Sequence, residues 1–424
     1  MKIAIIGAGI AGNVVASRLH PRHGVTVFEA ARHVGGHSHS HDIYFGGERH
    51  TIDTGFIVFN RRTYPLFCEL LDALGVASQE SSMTFSVRDD AKGLEYNGGS
   101  LKGLFAQRRN LLRPSFHRML REILRFNREA PRLLADQSVG DFPLGQFLEE
   151  GGYGRAFVED YLLPMGGAIW STDPRRMLDF PARFLARFMF NHGMLSLGDR
   201  PVWRTVTGGS ARYVEQLVAP FRDRIRLATP VEWVRRRPRQ VLVKPRGAPA
   251  EAFDHVFIAC HADQALALLA DPSAAEREVL CALPYQANEA VLHTDASLLP
   301  RSRLAWAAWN AHVLDPGQPV ALTYNMNVLQ RLTSRHTFCV TLNRTRDIEP
   351  SRILRRMVYH HPLFTPAGVA AQRRQRELNG PLRTWYCGAY WRYGFHEDGV
   401  WSALEALRHF KEAIDAERPV PRVA

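Results

Sequence analysis

The chain has 424 residues, 46% hydrophobic and 23% charged, a composition typical of a globular protein of two or three domains and unlike that of a disordered or fibrous one. Its 54 Lys and Arg against 42 Asp and Glu give a net charge of +12, but no zinc-finger or RNA-recognition signature accompanies this charge, so we predict no nucleic-acid partner. Five cysteines without a CxxC pair argue against a disulfide scaffold or a zinc site and favour a reducing, cytoplasmic location, and no apolar run reaches the roughly 18 residues of a membrane-spanning helix.

The first 30 residues carry the pattern of a nucleotide-binding unit. Residues 2–6 are apolar and β-branched, which predicts a buried parallel strand, and they run directly into the sequence GAGIAG at residues 7–12. A helical pattern continues to Leu19, and a second apolar strand at residues 24–28 is followed by Glu29. A glycine motif between a strand and a helix, with an acidic residue after the next strand, is typical of Rossmann dinucleotide sites.

Each glycine of this motif has a separate physical task. Gly7 permits a tight turn, Gly9 lets the backbone approach a pyrophosphate, and Gly12 lets the helix pack closely on the strand. The helix N-terminus then offers free N–H groups and the positive end of its dipole to the phosphates. Glu29 lies where a carboxylate accepts hydrogen bonds from ribose hydroxyls, so the pattern predicts a bound dinucleotide.

The residues after Glu29 favour one particular dinucleotide. They read AARHVGGH at residues 30–37 and reach DTG at residues 53–55 after a polar alternating run. This arrangement resembles the N-terminal half of the FAD-dependent amine oxidase and phytoene desaturase superfamily, in which R-x-x-G-G-R and D-x-G segments follow the acidic residue. The resemblance implies an FAD cofactor, with the glycines 35 and 36 around its phosphates and the segment 54–57 near its isoalloxazine ring. The cofactor contacts implied in this half are Ile10, Ala11, Ala30, Gly35, Gly36, His37, Thr54, Gly55, Phe56 and Ile57.

His37 stands where that superfamily usually has an arginine, so the usual cationic phosphate contact is missing. Candidates to replace it are Arg32, Arg61 and Arg62. His37, His39 and His41 alternate, so on a strand they would share one face and suggest a metal site. No carboxylate or cysteine accompanies them at ligand spacing, and we predict a polar strand beside the cofactor and no metal.

The middle of the chain is expected to supply a third cofactor element and the substrate side. By the same resemblance, Val231, at the end of the strand-like run 225–231, contacts adenine through its backbone. The segment 115–134 has apolar residues at helical spacing and five arginines at other positions. Such a basic amphipathic helix lies either on an anionic membrane, here at its inner face, or against the rest of the domain, and the sequence leaves both interpretations open.

The far end of the chain is expected to close the site. Residues 383–389 predict a strand, and residues 396–399 open a helix with an apolar face. The resemblance implies cofactor contacts by Gly388, Ala389, Asp398, Gly399 and Val400, although the superfamily commonly has an acidic residue at position 389. Free N–H groups at the helix start would stabilise negative charge on the reduced flavin. Simple capping is the alternative role of the acidic residues 397 and 398.

Four segments resemble a narrower group, the predicted NAD/FAD-binding, amine-oxidase-like bacterial proteins. These segments are GGHSHS at 35–40, DTGFIVFN at 53–60, LLPMGGAIWS at 162–171 and GAYWRYGFHEDGVWSAL at 388–404. We therefore expect an α/β fold in which a Rossmann-type FAD-binding domain is interleaved with an α+β substrate domain. The FAD-binding domain is predicted over residues 1–79, 204–279 and 351–424, and the substrate domain over 80–203 and 280–350.

The predicted activity is that of an FAD-dependent oxidoreductase on a hydrophobic small molecule or acyl lipid, by desaturation or isomerisation of an unsaturated or methyl-branched fatty acyl chain; the acyl substrate is implied by the resemblance to the narrower group. Flavin amine oxidases often hold a lysine near the reactive flavin nitrogen, and none of the five lysines here is a good candidate for it. Amine oxidation is the first alternative, and a non-catalytic flavin-binding partner protein is the second. His396, Glu397 and Tyr393 adjoin the predicted flavin edge and are the candidate acid–base residues.

Overall fold

The computed structural model describes residues 1–135, 142–170, 174–196, 198, 200–314 and 321–417. Its first sheet, which we call the Rossmann sheet, has five parallel strands in the spatial order Ile225–Arg226, Gly24–Phe28, Lys2–Ile6, His255–Ile258 and Thr384–Tyr386. Ile3, Ala4 and Ile5 of the middle strand are fully buried, because a continuous apolar run suits a sheet that is covered on both faces. The predicted α/β architecture with a parallel nucleotide-binding sheet is confirmed.

A second sheet has seven strands, in the spatial order Ile353–Pro362, Tyr285–His293, Cys339–Leu342, Ala321–Asn325, Trp309–Val313, Phe85–Asp89 and Leu94–Asn97. Trp309–Val313 runs parallel to Phe85–Asp89, and the other neighbours are antiparallel. The strand Ile353–Pro362 pairs with Tyr285–His293 from Tyr285 opposite Pro362 to His293 opposite Ile353. Residues 353–362, which follow the predicted domain boundary at residue 351, therefore belong to the seven-stranded sheet and not to the Rossmann sheet.

Three smaller antiparallel sheets complete the strands. They consist of Val231–Arg236 with Val241–Pro245 and Glu251–Phe253, of Ser40–Phe45 with Glu48–Asp53, and of Trp203–Val206 with Phe59–Asn60 and Ser78–Glu80. His37 and His39 precede the strand Ser40–Phe45, so the three alternating histidines do not share one strand face as predicted. Instead the ring of His39 stacks on that of His33, with centroids 4.0 Å apart, and contacts that of His41 at 4.1 Å.

The helices cover the Rossmann sheet and also pack opposite the seven-stranded sheet. Their bounds are Ile10–Leu19, Pro65–Ala73, Leu101–Leu104, Pro114–Glu129, Arg132–Ala135, Leu144–Glu150, Arg155–Phe157, Leu163–Trp170, Ala182–Asn191, Ala211–Val218, Ala262–Leu268, Ala274–Cys281, Met326–Leu329, Pro366–Gln372, Gln375–Leu378 and His396–Glu417. Among the described residues, no helix is both long enough and apolar enough to cross a membrane.

The first and last helices of the described chain pack against each other. A Cβ atom built on Gly399 would lie 2.6 Å from Cγ2 of Ile10, so the close contact of the two helices depends on a glycine at this position. The glycine turn at residues 7–12 and the start of the C-terminal helix therefore lie side by side, although nearly the whole chain separates them. This junction forms one wall of the candidate site.

Candidate active site

The glycine turn after the first strand borders a large cavity. Gly7 has a φ of +104°, and a Cβ atom there would come within 2.9 Å of the carbonyl oxygen of Ala259, so the turn requires glycine. A Cβ on Gly12 would lie 1.9 Å from the carbonyl oxygen of Gly7, which shows how closely the helix packs on the turn. A Cβ on Gly9 would meet no protein atom within 4 Å, because Gly9 faces the cavity. The turn is tightly packed where it contacts protein and open where it faces the cavity.

The groups around Gly9 match the needs of a diphosphate and a ribose. The helix Ile10–Leu19 begins at Gly9 without a side-chain cap, so N–H groups of its first turn keep their capacity to bind an anion. The carboxylate of Glu29 accepts hydrogen bonds from the N–H groups of Ala8 at 2.7 Å and Ala31 at 2.8 Å. Each carboxylate oxygen has a second lone pair, so Glu29 can still accept a ribose hydroxyl.

The cavity has a volume of about 1160 Å³. Ordinary small-molecule pockets occupy roughly 300–1,000 Å³, so this cavity has room for a dinucleotide and a second molecule. It brings together most of the residues that the sequence predicts for the site. The predicted residues on its wall are Gly7, Gly9, Ile10, Ala11, Glu29, Ala30, Gly35, Gly36, His37, Gly55, Phe56, Ile57, Val231, Gly388, Ala389, Tyr393 and His396.

Six predicted site residues do not lie on the wall of this cavity. They are Gly12, Thr54, Glu397, Asp398, Gly399 and Val400. Gly12 packs closely on the turn, as predicted, Gly399 packs on Ile10, Val400 is buried in the core, and the hydroxyl of Thr54 contacts that of Tyr359 at 2.7 Å. The helix start at residues 398–400 lies behind the wall of the main cavity, and its role beside the flavin ring stays a prediction.

Glu397 caps another helix. Its carboxylate accepts the N–H groups of Leu66 at 3.1 Å and Phe67 at 2.9 Å, in the first turn of the helix Pro65–Ala73. Burial raises the pKa of Glu397, and these two hydrogen bonds oppose that shift. Both carboxylate oxygens take part in this contact and Glu397 does not lie on the wall of the main cavity, so the geometry favours a capping role for Glu397 over the predicted acid–base role.

Asp398 lies beside a second cavity of about 640 Å³, which shares Tyr393 with the first. Its carboxylate accepts the N–H groups of Tyr393 at 3.2 Å and Phe395 at 2.9 Å, and burial raises its pKa to about 7. Asp398 thus fixes the backbone that carries Tyr393 into the main cavity.

His396 is held rigidly in the wall of the main cavity. Its ring stacks on Phe56, with centroids 3.8 Å apart and planes at 9°. Its Nε2 atom is hydrogen-bonded to the hydroxyl of Tyr213 and lies 3.2 Å from Oγ of Ser38. Burial lowers the pKa of His396 to about 3, so the imidazole is neutral at physiological pH. His396 therefore presents an uncharged, fixed ring to the cavity.

The polar residues of the cavity wall that the sequence analysis missed include His261, Tyr359, His360 and His361. The last three come from the strand Ile353–Pro362, and Nδ2 of Asn288 donates to Nδ1 of His361 at 2.8 Å. The run YHHP is unusually polar for a strand, and this was the available signal. Among the described residues, no group of three or more His, Cys, Asp or Glu side chains is arranged to hold a metal ion.

The part of the cavity beyond the glycine turn is mostly apolar, and we call it the substrate half. Its wall includes Phe85, Tyr96, Tyr161, Met165, Ile169, Trp170, Phe188, Met194, Arg200, Trp203, Trp309 and Tyr324, together with the polar side chains Thr84 and His192. Arg200 is its cation. Among the described residues, Glu29 is the only carboxylate on the wall of the whole cavity, and no lysine lies on that wall.

A parallel sheet with this glycine cradle, and a cavity that extends from it into an apolar pocket, define a dinucleotide-binding protein with space for a second ligand. The residues present fit FAD, since Gly9 leaves space for a diphosphate and the buried Nε2 of His37, beside that space, has no hydrogen-bond partner in the described structure. A family profile described as flavin containing amine oxidoreductase matches residues 10–302. The chain belongs to this family.

Solved structures with the same fold include enzymes of different activity. Cyclohexylamine oxidase from Brevibacterium oxydans IH-35A matches with a TM-score of 0.69 at 16% identity, over 98% of this chain and 99% of that one. Putrescine oxidase bound to putrescine matches with a TM-score of 0.66 at 14% identity, over 98% and 99%. A fatty acid isomerase from P. acnes that produces CLA matches with a TM-score of 0.65 at 16% identity, over 96% and 98%. A comparison with curated proteins gives no match.

Proposed function

We propose that the protein catalyses desaturation or isomerisation of an unsaturated or methyl-branched fatty acyl chain. The observation that carries this proposal is the wall of the substrate half, which has aromatic and aliphatic side chains and one arginine. Among the described residues, this half has neither a carboxylate to bind a basic amine nor the lysine that flavin amine oxidases often hold near the flavin. An apolar wall gains free energy by burying an alkyl chain, at roughly 0.8 kcal/mol per CH₂ group. The fold that the chain shares with a fatty acid isomerase is compatible with this substrate class.

Bound FAD supplies hydride transfer at its ring, and the protein supplies placement and electrostatics. In this proposal the aromatic side chains of the substrate half exclude water and align the alkyl chain, while Arg200 pairs with the carboxylate of a free fatty acid. Tyr393 lies on the wall of both cavities, and burial raises the pKa of its phenol, so it can hold a proton near the reacting carbons. His396 positions Tyr213 and Ser38 through Nε2.

The first alternative is oxidation of an amine, because two of the structures that share the fold are amine oxidases. The absence of a lysine and of a second carboxylate from the described cavity wall argues against it. The second alternative is a flavin-binding partner protein without turnover.

A substrate screen of the yellow holoenzyme without oxygen separates these three functions. We expect an unsaturated or methyl-branched fatty acid to bleach the flavin absorbance or to yield a rearranged double bond, detected as conjugated-diene absorbance or by mass spectrometry. Bleaching by a polyamine, with peroxide formed on admission of air, would favour amine oxidation instead. Tight FAD that responds to neither class would leave the partner protein as the better interpretation.

We also propose that the protein makes a peripheral membrane contact through the segment 101–128. The helix Pro114–Glu129 buries Phe116, Met119 and Phe126 in the protein, so its apolar face is not the part that meets lipid. The turns before it expose Leu101 at 77%, Leu111 at 51% and Leu112 at 87%. The same segment carries exposed cations that form no ion pair with another described residue, namely Lys102, Arg108, Arg109, Arg118, Arg121 and Arg128. Exposed leucines among unpaired cations suit the surface of an anionic membrane.

Vesicle sedimentation tests this contact. We expect the protein to pellet with phosphatidylglycerol vesicles and not with phosphatidylcholine vesicles. Leu112→Asp is expected to lower the partition coefficient about tenfold, because a carboxylate then replaces the alkyl group that enters the membrane beside anionic headgroups. Leu227→Asp is the matched control, since Leu227 is also exposed but lies next to the Rossmann sheet. Equal pelleting of the two variants would exclude this surface.

A further inference from the structure

Histidines from separate parts of the chain converge where the glycine turn faces the cavity. Gly36 lies against Gly9, since a Cβ on Gly36 would come within 3.2 Å of Cα of Gly9, and His37 follows it directly. The ring centroid of His37 is 5.6 Å from that of His361 and 6.3 Å from that of His261. His37 follows the second strand of the Rossmann sheet, His261 follows the fourth, and His361 belongs to the seven-stranded sheet.

This cluster lies at the place where a diphosphate needs positive charge. Among the described residues, the permanent cations on the cavity wall are Arg200 and Arg246. Arg200 belongs to the substrate half. Arg246 lies near Val231, since its backbone N–H donates to the carbonyl oxygen of Pro230. Neither arginine belongs to the glycine turn or to the histidine cluster. The dipole of the helix Ile10–Leu19 is equivalent to only about half a charge, whereas the diphosphate of FAD carries two.

The histidines are uncharged in the protein without an anion. Burial lowers the pKa of His37 to about 4 and those of His261 and His361 to about 3. The buried Nε2 of His37 has no hydrogen-bond partner among the described residues. An anion brought next to such an imidazole stabilises its protonated form and raises its pKa.

We propose that His37 takes up a proton when FAD binds and that the resulting imidazolium pairs with the diphosphate in place of a permanent cation. The proton comes from solvent and is released when FAD leaves. His37 has a higher pKa in the complex than in the free protein, so the proton strengthens FAD binding at low pH, and this contribution is lost as pH rises through the pKa of the complex. The proposal concerns cofactor retention and is independent of the substrate.

Other titratable groups face His37, and they determine how many protons the protein takes up when FAD binds. From the strand Ile353–Pro362 they are Tyr359, His360 and His361, and from the remaining elements they are His39, His261 and His396. Glu29 is the one carboxylate of the described wall, and it accepts hydrogen bonds from the backbone N–H groups of Ala8 and Ala31.

Release of FAD from the diluted holoenzyme, followed by flavin fluorescence, tests the proposal. Between about pH 6 and 8, a range in which FAD itself does not titrate, we expect the dissociation constant to rise by up to about tenfold per pH unit for one proton. His37→Arg, which restores a permanent cation, is expected to bind FAD with little dependence on pH over this range. His37→Gln is expected to bind weakly at every pH and to lose the slope. The exposed His117→Gln, outside the cavity, is the control and keeps the slope of the unchanged protein.

Calorimetry of FAD binding provides a second readout that needs no variant. One proton taken up makes the observed enthalpy depend on the ionisation enthalpy of the buffer with a slope near one. A buffer-independent enthalpy, or a dissociation constant that is flat across the pH range, would overturn the proposal. Neither result would bear on whether the substrate is an acyl chain.

Discussion

Gly9→Val is expected to produce a folded protein without yellow colour. Because a Cβ on Gly9 would contact no protein atom within 4 Å, the new side chain meets no steric barrier from the protein itself. It projects instead into the space that the diphosphate requires, beside the uncapped start of the helix Ile10–Leu19. We expect the affinity for FAD to fall by at least about 100-fold, roughly 2.7 kcal/mol, because the phosphates lose their close approach to the backbone.

Flavin absorbance of the purified protein and a thermal melt measure the two parts of this prediction. Gly24→Val is the matched control: it lies in the same Rossmann sheet, and its Cβ would meet only the carbonyl oxygen of Met1, at 3.7 Å. The control is expected to purify yellow. A fully flavin-loaded Gly9→Val protein would show that the diphosphate binds elsewhere, and an unfolded one would show that the turn does not tolerate a side chain.

Glu397→Ala is expected to destabilise the fold by about 2–4 kcal/mol, since it removes the acceptor of two N–H groups at a buried helix start. The contact joins residues 330 positions apart in the sequence, from Phe67 to Glu397, so its loss also loosens the packing of two distant helices. Urea denaturation followed by circular dichroism measures the change in free energy of unfolding. The rate per bound flavin is expected to stay within about twofold, since the carboxylate does not lie on the wall of the main cavity.

The matched control for Glu397→Ala is Glu405→Ala on the same helix. Glu405 pairs with Arg408 at 2.8 Å at the protein surface, and exposed pairs of this kind contribute roughly 0–1 kcal/mol. Glu397→Gln keeps one acceptor oxygen and should lie between the two alanine variants. A Glu397→Ala protein with unchanged stability but lost turnover would return Glu397 to the acid–base role that its position in the sequence suggested.

The nucleotide-binding half of the site was predictable because its information is local. Residues 2–29 contain the strand, the glycine turn, the helix and the acidic residue in order, and the structure places these residues around one cavity. The resemblance to flavoenzymes extended the prediction to Gly388 and Ala389 at the far end of the chain. The role of Glu397 could not be read from the sequence, because an acidic residue at a helix start has the same pattern whether it caps its own helix, caps a distant one or faces a ligand.

The residues contributed by strand pairing could not be assigned from spacing. His360 and His361 reach the cavity because Ile353–Pro362 pairs with Tyr285–His293, and a register between segments about 70 residues apart leaves no local pattern. The same pairing puts residues 353–362 in the seven-stranded sheet, which the sequence did not indicate. The helical segment beginning at Pro114 was predicted as amphipathic, but of the exposed leucines in this region only Leu124 lies on that helix, and Leu101, Leu111 and Leu112 precede it.

The order of strands in the Rossmann sheet has a consequence for biosynthesis. The middle strand leaves the ribosome first, while its partner His255–Ile258 and the next strand Thr384–Tyr386 emerge much later. Contacts so distant in sequence slow folding, and an incomplete sheet exposes unpaired strand edges during that interval. The nascent chain therefore cannot complete the wall of its cofactor pocket until Gly399 reaches Ile10, so the pocket forms only after almost all of these 424 residues have been made.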